Sequence, residues 1–175
     1  ITNASVSLGV RHDYYYDGEL SGSYHEIGGF NDSDLDFLRQ ETGLNFIPVF
    51  TGSLDEWTSG FSIASNYATF EQNGVYTGKI TGFIDVDKTE AEGLGLELMA
   101  GRLPEKTGEI VISELLLRSF NEYGFKNPTH KESVSAGQLS NAENILGKHL
   151  NISSSMGGIE RTFVIVGVVD THFDY

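Results

Sequence analysis

Four apolar residues in succession, Phe163, Val164, Ile165 and Val166, lead into Gly167, Val168, Val169 and Asp170, and no other segment constrains the fold as strongly. Side chains along a strand point alternately to its two faces, so a run apolar at every position is apolar on both and belongs inside a sheet. A length of 175 residues suffices for one domain of ordinary size, or two small lobes, with a real core. The 21 glycines against 3 prolines predict many turns and a strand-rich fold around that buried run.

Composition removes several classes. A hydrophobic content of 39% with 11% aromatics is too high for a disordered segment. There is no cysteine, which excludes a disulfide framework and a thiolate metal site. The chain contains no stretch of about 18 apolar residues and does not begin with a basic-then-apolar signal. It starts at Ile1 without Met, and reads as a piece of something longer. A formal net charge of −14, with only 11 scattered Lys and Arg, argues against nucleic acid, which needs clustered cations. It also argues against lying flat on an anionic lipid surface. Solubility is the plain reading of the acidity, and attraction of a cationic ligand such as a basic peptide is the functional one. Acidity alone does not choose between them.

Along the chain, 1–10 alternates apolar and polar residues (Ile1, Val6, Leu8, Val10) and predicts a strand. His12, Asp13, Tyr14, Tyr15, Tyr16, Asp17 and Gly18, followed by Gly22, Gly28 and Gly29, predict a loop or a hairpin with an aromatic tip. A short helix begins at Asn31, Asp32 and Ser33, with Leu35, Leu38 and Phe37 as its apolar face and Gly43 as its stop. The segment 44–50 reads as a strong strand. In 51–73, Trp57, Phe61, Ile63, Tyr67 and Phe70 among Ser, Thr and Asn suggest antiparallel strands with one wet face. A strand over 75–87 and a brief helix at Thr89, Glu90 and Ala91 follow. Residues 109–113 form a short strand, and Ser113 caps a helix carrying Leu115, Leu116, Leu117, Phe120 and Tyr123, closed by Gly124. The polar stretch 126–144 reads as a loop. His149 to Ile152 and Thr162 to Asp170 are the last two strands, and no repeat of 20–50 residues is visible.

Candidate chemistry is thin. His12 with Asp13 and Asp17, and His172 with Asp170 and Asp174, are loop clusters before they are metal sites. Asn31, Asp32, Asp34 and Asp36 resemble a calcium loop, but the sixth and twelfth positions hold Phe37 and Gly43 where Gly and a bidentate Glu are needed, so capping explains them. Ser113 sits at a strand-to-helix turn without the flanking glycines of a nucleophile elbow, so it too reads as a cap. Gly93 and Gly95 are an isolated pair, and there is no phosphate-binding loop. Glycoside hydrolysis needs two carboxylates that meet in space, and nothing nominates a pair among the 25 acidic residues. No catalytic, cofactor-binding or metal-binding residue is therefore nominated. Tyr14, Tyr15, Tyr16, Tyr24 and Trp57 are the candidates for a binding surface, because three consecutive tyrosines in an extended segment cannot all face inward.

One family resemblance joins the remaining features. Gly101, Arg102, Leu103 and Pro104 stand where the MacB/FtsX-like ABC transporter permeases have a Gly-Arg-x-Pro turn before an acidic residue and a short strand, here Glu109 to Ser113. Leu115, Leu116, Leu117 and Phe120 fall in the family's apolar helix. Ile145, Leu146, Gly147 and Lys148 resemble its turn into the sheet, with Gly147 permitting a positive φ. The run from Phe163 to Asp170 resembles its buried strand ending in Gly-Val-Val-Asp. Together the four span 88–174, about half of the chain.

The resemblance implies an α+β domain, with a mixed, mostly antiparallel sheet and a few short helices like the periplasmic core of MacB. Residues 1–87 would be its variable N-terminal part, where ligand or partner choice is expected, and 88–175 its motif-bearing part. It further implies a place between the first and second transmembrane helices of a cell-membrane permease, facing the periplasm or the exterior. The domain would have no catalytic residue and no cofactor. Its partners would be the parent transmembrane helices, an ATP-binding subunit or domain, and an extracytoplasmic protein or peptide ligand, with no nucleic acid. Its function would be to couple cytoplasmic ATP hydrolysis to export or handling of a peptide, lipoprotein or drug. The family pattern continues beyond the Gly-Val-Val-Asp strand, whereas this chain stops soon after it. Two alternatives remain open: an FtsX-type regulator that activates a cell-wall hydrolase, and a secreted carbohydrate-binding or hydrolase domain.

Overall fold

A computed structural model of the chain describes residues 8–16, 19–28, 31–51, 61–69, 79–80, 82–154 and 160–172. The elements in chain order begin with the hairpin β1 (Leu8–Tyr16) and β2 (Glu19–Gly28). Helix α1 (Asp32–Thr42) is followed by β3 (Val49–Thr51), β4 (Phe61–Ser62), β5 (Lys79–Ile80) and β6 (Gly82–Ile84). Helix α2 (Lys88–Gly93), β7 (Glu97–Gly101), β8 (Glu109–Ser113) and α3 (Glu114–Tyr123) come next. Then follow β9 (Phe125–Asn127), β10 (Glu132–Val134), β11 (His149–Ser154) and β12 (Glu160–Asp170).

The apolar run lies in β12, and β12 is central. Val164 stands opposite both His149 of β11 and Glu109 of β8, and Val168 stands opposite both Ala100 of β7 and Ile112 of β8. Hence β11 and β7 follow one another along one edge of β12, both antiparallel, while β8 runs parallel along the other. β4 and β5 extend the sheet beyond β11. Ile165 and Val168 have no exposed surface, and Val169 is buried. The remaining pairs, β1–β2, β3–β6 and β9–β10, are two-stranded and antiparallel. The fold is α+β with a mixed, mostly antiparallel sheet, as expected.

Helix α3 covers one face of this sheet. Ser113 Oγ accepts a hydrogen bond from the Leu116 N–H, which satisfies one orphan donor of the first turn. Leu117 and Phe120 then point inward, and Phe120 packs between Tyr67 (ring centroids 5.0 Å apart) and Phe125 (5.1 Å). Ile63, Tyr67, Leu139, Ile145, Leu150 and Ile165 complete the densest part of the core. Burial of each such side chain is worth about 1.5–3 kcal/mol before entropy is counted. Helix α1 starts and stops where expected: Asn31 caps it in a capping box, Asn31 and Asp34 each bonding the other's backbone N–H, and Gly43 ends it at φ 69°.

Several local expectations are corrected. The strand read over 44–50 is confined to Val49–Thr51, since Pro48 removes a donor and 43–48 is irregular. The stretch 75–87 holds two very short strands, β5 and β6, in its described part. Of the two readings of the segment after 10, loop or hairpin, the hairpin holds, with Gly22 and Gly28 inside β2. Phe37 is exposed, so α1 is anchored by Leu35 and the half-buried Leu38. The stretch 126–144, read as a loop, contains the β9–β10 hairpin and a 3₁₀ turn at Ala142–Ile145.

Candidate functional site

Three places in the molecule have a chemistry of their own, and the first is the frame built by the segments that carried the family resemblance. At the β7–β8 connection Gly101 adopts φ 71°, and a Cβ there would collide with the Val166 carbonyl oxygen. The next residue, Arg102, donates its backbone N–H to that same oxygen at 3.0 Å. Its guanidinium reaches across the turn to both oxygens of Glu109, at 2.8 and 2.6 Å. Glu109 also accepts the Glu105 N–H at 2.9 Å, so one carboxylate closes the loop from two sides. The Arg102 bond first, and the Glu105 N–H second, hold the Glu109 carboxyl well below the usual range, at about 2. Ahead of β11, Gly147 (φ 76°) donates its N–H to the Ile165 carbonyl at 2.8 Å. Gly167 lies so close to the Arg102 carbonyl that no side chain fits between them. A further tie comes from Glu114, buried at the start of α3, which accepts the N–H and hydroxyl of Thr171 just past β12.

The second place is a polar cluster where the β9–β10 hairpin meets β11. Asn66, Asn127 and Asn151 are at most 5% exposed. The His149 carbonyl accepts from both Asn66 Nδ2 (3.2 Å) and Asn127 Nδ2 (2.6 Å). Asn66 Oδ1 accepts the Asn151 N–H, and Asn151 Oδ1 accepts from Asn127 and from the Thr162 hydroxyl. Above this layer the rings of His130 and His149 stack with centroids 3.8 Å apart and planes 2° from parallel. Glu132 binds the His149 ring nitrogen Nδ1 and the His149 N–H, both at 2.8 Å. Burial alone would raise the Glu132 carboxyl, but the two His149 bonds and nearby Lys148 outweigh it and hold it below its ordinary value. Lys131, at φ 57°, makes the tight turn that carries His130 over His149. Beside the cluster lies an open depression of about 530 Å³ lined by Ser133, Val134, Gln138, Asn144 and Lys148.

The third place is a surface. Val49 and Ile84 are directly opposite each other in the β3–β6 ribbon, so their side chains share one face, and they are 63% and 42% exposed. The other face carries Phe83, which packs on Phe61 (4.7 Å) and Phe163 (6.4 Å) of the main sheet. Phe37, Leu44 and Phe50 add three more exposed apolar side chains from the same part of the chain. Arg39 donates to the Phe46 carbonyl, and Asn45 donates to Glu90, which ties α1, the segment before β3 and α2 together. Residues 31–51 and 82–97 carry nine carboxylates (Asp32, Asp34, Asp36, Glu41, Asp85, Asp87, Glu90, Glu92, Glu97) against Arg39 and Lys88. Arg39 pairs with Asp36, and Lys88 with Glu92.

The residues singled out from sequence fall as follows. Ser113, Asn31 and Asp34 are helix caps, as read. His172 lies beside Asp170 and Glu97, each 3.5 Å away, at the exit of β12. The side chains of His12, Asp13, Tyr14, Tyr15, Tyr16 and Tyr24, and the whole of Asp17, Trp57 and Asp174, lie outside the described residues. The backbone of Tyr15 and Tyr16 occupies the tip end of the β1–β2 hairpin, opposite Leu20 and Glu19. No group of three or more His, Asp or Glu able to hold a metal stands among the described residues. Sequence reasoning missed the asparagine cluster, because Asn ordinarily signals a turn or cap, and missed the β3–β6 surface, because exposed and buried valines read alike. Comparison with protein-family models, curated proteins and solved structures finds no match to this chain.

Proposed function

We propose that this chain is a non-catalytic, extracytoplasmic coupling domain of a MacB/FtsX-like ABC transporter permease. The observation that supports this reading is the closure of the four resembling segments on one another. Gly101 and Arg102 meet Val166, Gly147 meets Ile165, Glu109 stands opposite Val164, and α3 is tied back to Thr171 through Glu114. A frame so cross-linked by backbone bonds, a bidentate ion pair and two glycine close approaches is stiff. A stiff frame can transmit a displacement applied at one side to a ligand held at another, which is the work a coupling domain performs. In this reading ATP is hydrolysed elsewhere, and the chain's own residues bind and transmit.

Topology is the test. These 175 residues hold no cysteine, so Ser140→Cys, on the exposed surface, places one thiol in this part of the complete natural protein, and the protein without the substitution serves as the blank. Intact cells are treated with a membrane-impermeant maleimide, and the protein is then extracted in detergent and probed for an ATP-binding subunit or domain. Labelling from outside together with ATPase association is the expected result. A thiol labelled only after lysis overturns the proposal.

A further inference from the structure

We infer that the outer face of the β3–β6 ribbon docks an amphipathic peptide segment of net positive charge. The inference rests on surface chemistry and does not depend on the permease reading. Val49 and Ile84 form a cross-strand apolar pair turned away from the main sheet, while Phe83 on the opposite face anchors the ribbon to Phe61 and Phe163. Phe50, opposite Phe83, shares that second face and is 55% exposed, so the ribbon is held through Phe83 and presents the Val49–Ile84 face outward. Exposed branched aliphatic side chains gain from any partner that removes them from water. The surroundings choose the partner. The two segments that supply the ribbon, 31–51 and 82–97, carry nine carboxylates against Arg39 and Lys88, a sum of −7 out of the chain's −14, and both cations pair within those segments, Lys79 of β5 lying just outside them. An acidic or neutral apolar segment would meet this field unfavourably or indifferently. A segment with an apolar stripe flanked by Lys or Arg would satisfy both the stripe and the rim, and would be steered to it. A second copy of this chain would bring the same nine carboxylates and meet like charge.

The test uses the 175-residue chain and two labelled 18-residue probes of identical apolar pattern, one of Leu and Lys and one of Leu and Glu, read by fluorescence anisotropy. The Leu/Lys probe is expected to bind, at least about tenfold more weakly after Val49→Ser with Ile84→Ser, and weaker again at high salt. Glu41→Lys with Asp85→Lys, which removes rim charge without touching the apolar pair, is expected to weaken it by about threefold or more at low salt. Glu122→Lys with Glu143→Lys, away from the ribbon, changes the overall charge equally and is expected to leave affinity within about twofold. Circular dichroism melts verify that each variant is folded; all six substituted sites are exposed, and the Ser variant, if it unfolds, is replaced by Val49→Thr with Ile84→Thr. Equal binding of the Leu/Glu probe, or equal losses from the rim and distant charge pairs, overturns the inference. So does retention of full affinity by the Ser variant. Sedimentation showing a dimer that the Ser variant dissolves assigns the face to a second copy, and likewise overturns it.

Discussion

Asn66 makes three hydrogen bonds to backbone groups of other segments, accepting the Asn151 N–H at 2.9 Å and donating to the carbonyls of Lys126 and His149. Among the described residues β4 pairs with β11 only at Ser153 and Ser154, so the Asn66 amide stands where a longer neighbouring strand would have served Asn151. A buried donor left without a partner costs about 1–3 kcal/mol, and each bond contributes about 1 kcal/mol net. Asn66→Ala is therefore expected to lower stability by about 2–4 kcal/mol in urea unfolding, with no change in the slope against denaturant. A loss below about 1 kcal/mol would show that relaxation or water replaces the amide. Nothing in the sequence marks this asparagine: it follows Ser65 in hydroxyl-rich text, and its partners lie 60 and 83–85 positions away.

The elements whose ends are written in local chemistry were the legible ones. Asn31 and Gly43 bound α1, Asp87 caps α2, and Ser113 caps α3, each by a side chain or a φ that its own residue type dictates. The β9–β10 hairpin was hidden because its positive-φ position is Lys131, with no Asn-Gly or Asp-Gly to announce it. Glycines divide in the same way. Gly147 needs its φ of 76° and has open space around its Cα, whereas Gly167 has an ordinary φ and no space at all. Two substitutions separate these causes. Gly147→Ala is expected to cost about 1 kcal/mol, the left-handed penalty alone. Gly167→Ala forces a methyl against the Arg102 carbonyl and Val111, and is expected to cost about 3 kcal/mol and to push β7 from β12. Thermal melts of the two variants side by side check the order, and hydrogen exchange at Arg102, whose N–H bonds Val166, checks the mechanism.

At the scale of the whole molecule, the α+β class follows from a doubly apolar strand among many turns, but the parallel pairing of β8 with β12 does not. Its partners are more than 50 residues apart, and the contacts that hold β8 beside β12, the Arg102–Glu109 clamp, the Gly167 close approach and the Glu114–Thr171 tie, join residues far apart in the sequence or carry no local signal. The same clamp governs how the molecule responds to acid. Glu109 titrates at about 2 when folded, and Glu132 is also depressed, whereas an unfolded glutamate titrates near 4.3. A depressed folded pKa means that the unfolded chain takes up protons first, so this stabilisation is complete above about pH 4.3 and is lost as pH falls toward 2. Acid also lowers the overall negative charge of a chain at −14 and so eases its general self-repulsion, an effect common to every variant compared. The balance is readable by difference. The parent chain is expected to lose stability over pH 4.5 to 2, and Glu109→Gln, less stable at pH 7, to lose distinctly less over the same range, so that the two converge near pH 2. Arg102→Lys keeps the charge but surrenders the two-pronged bond, and is expected to fall between them. Urea midpoints at half-unit steps of pH measure all three; parallel curves would show that the clamp carries no share of the acid sensitivity.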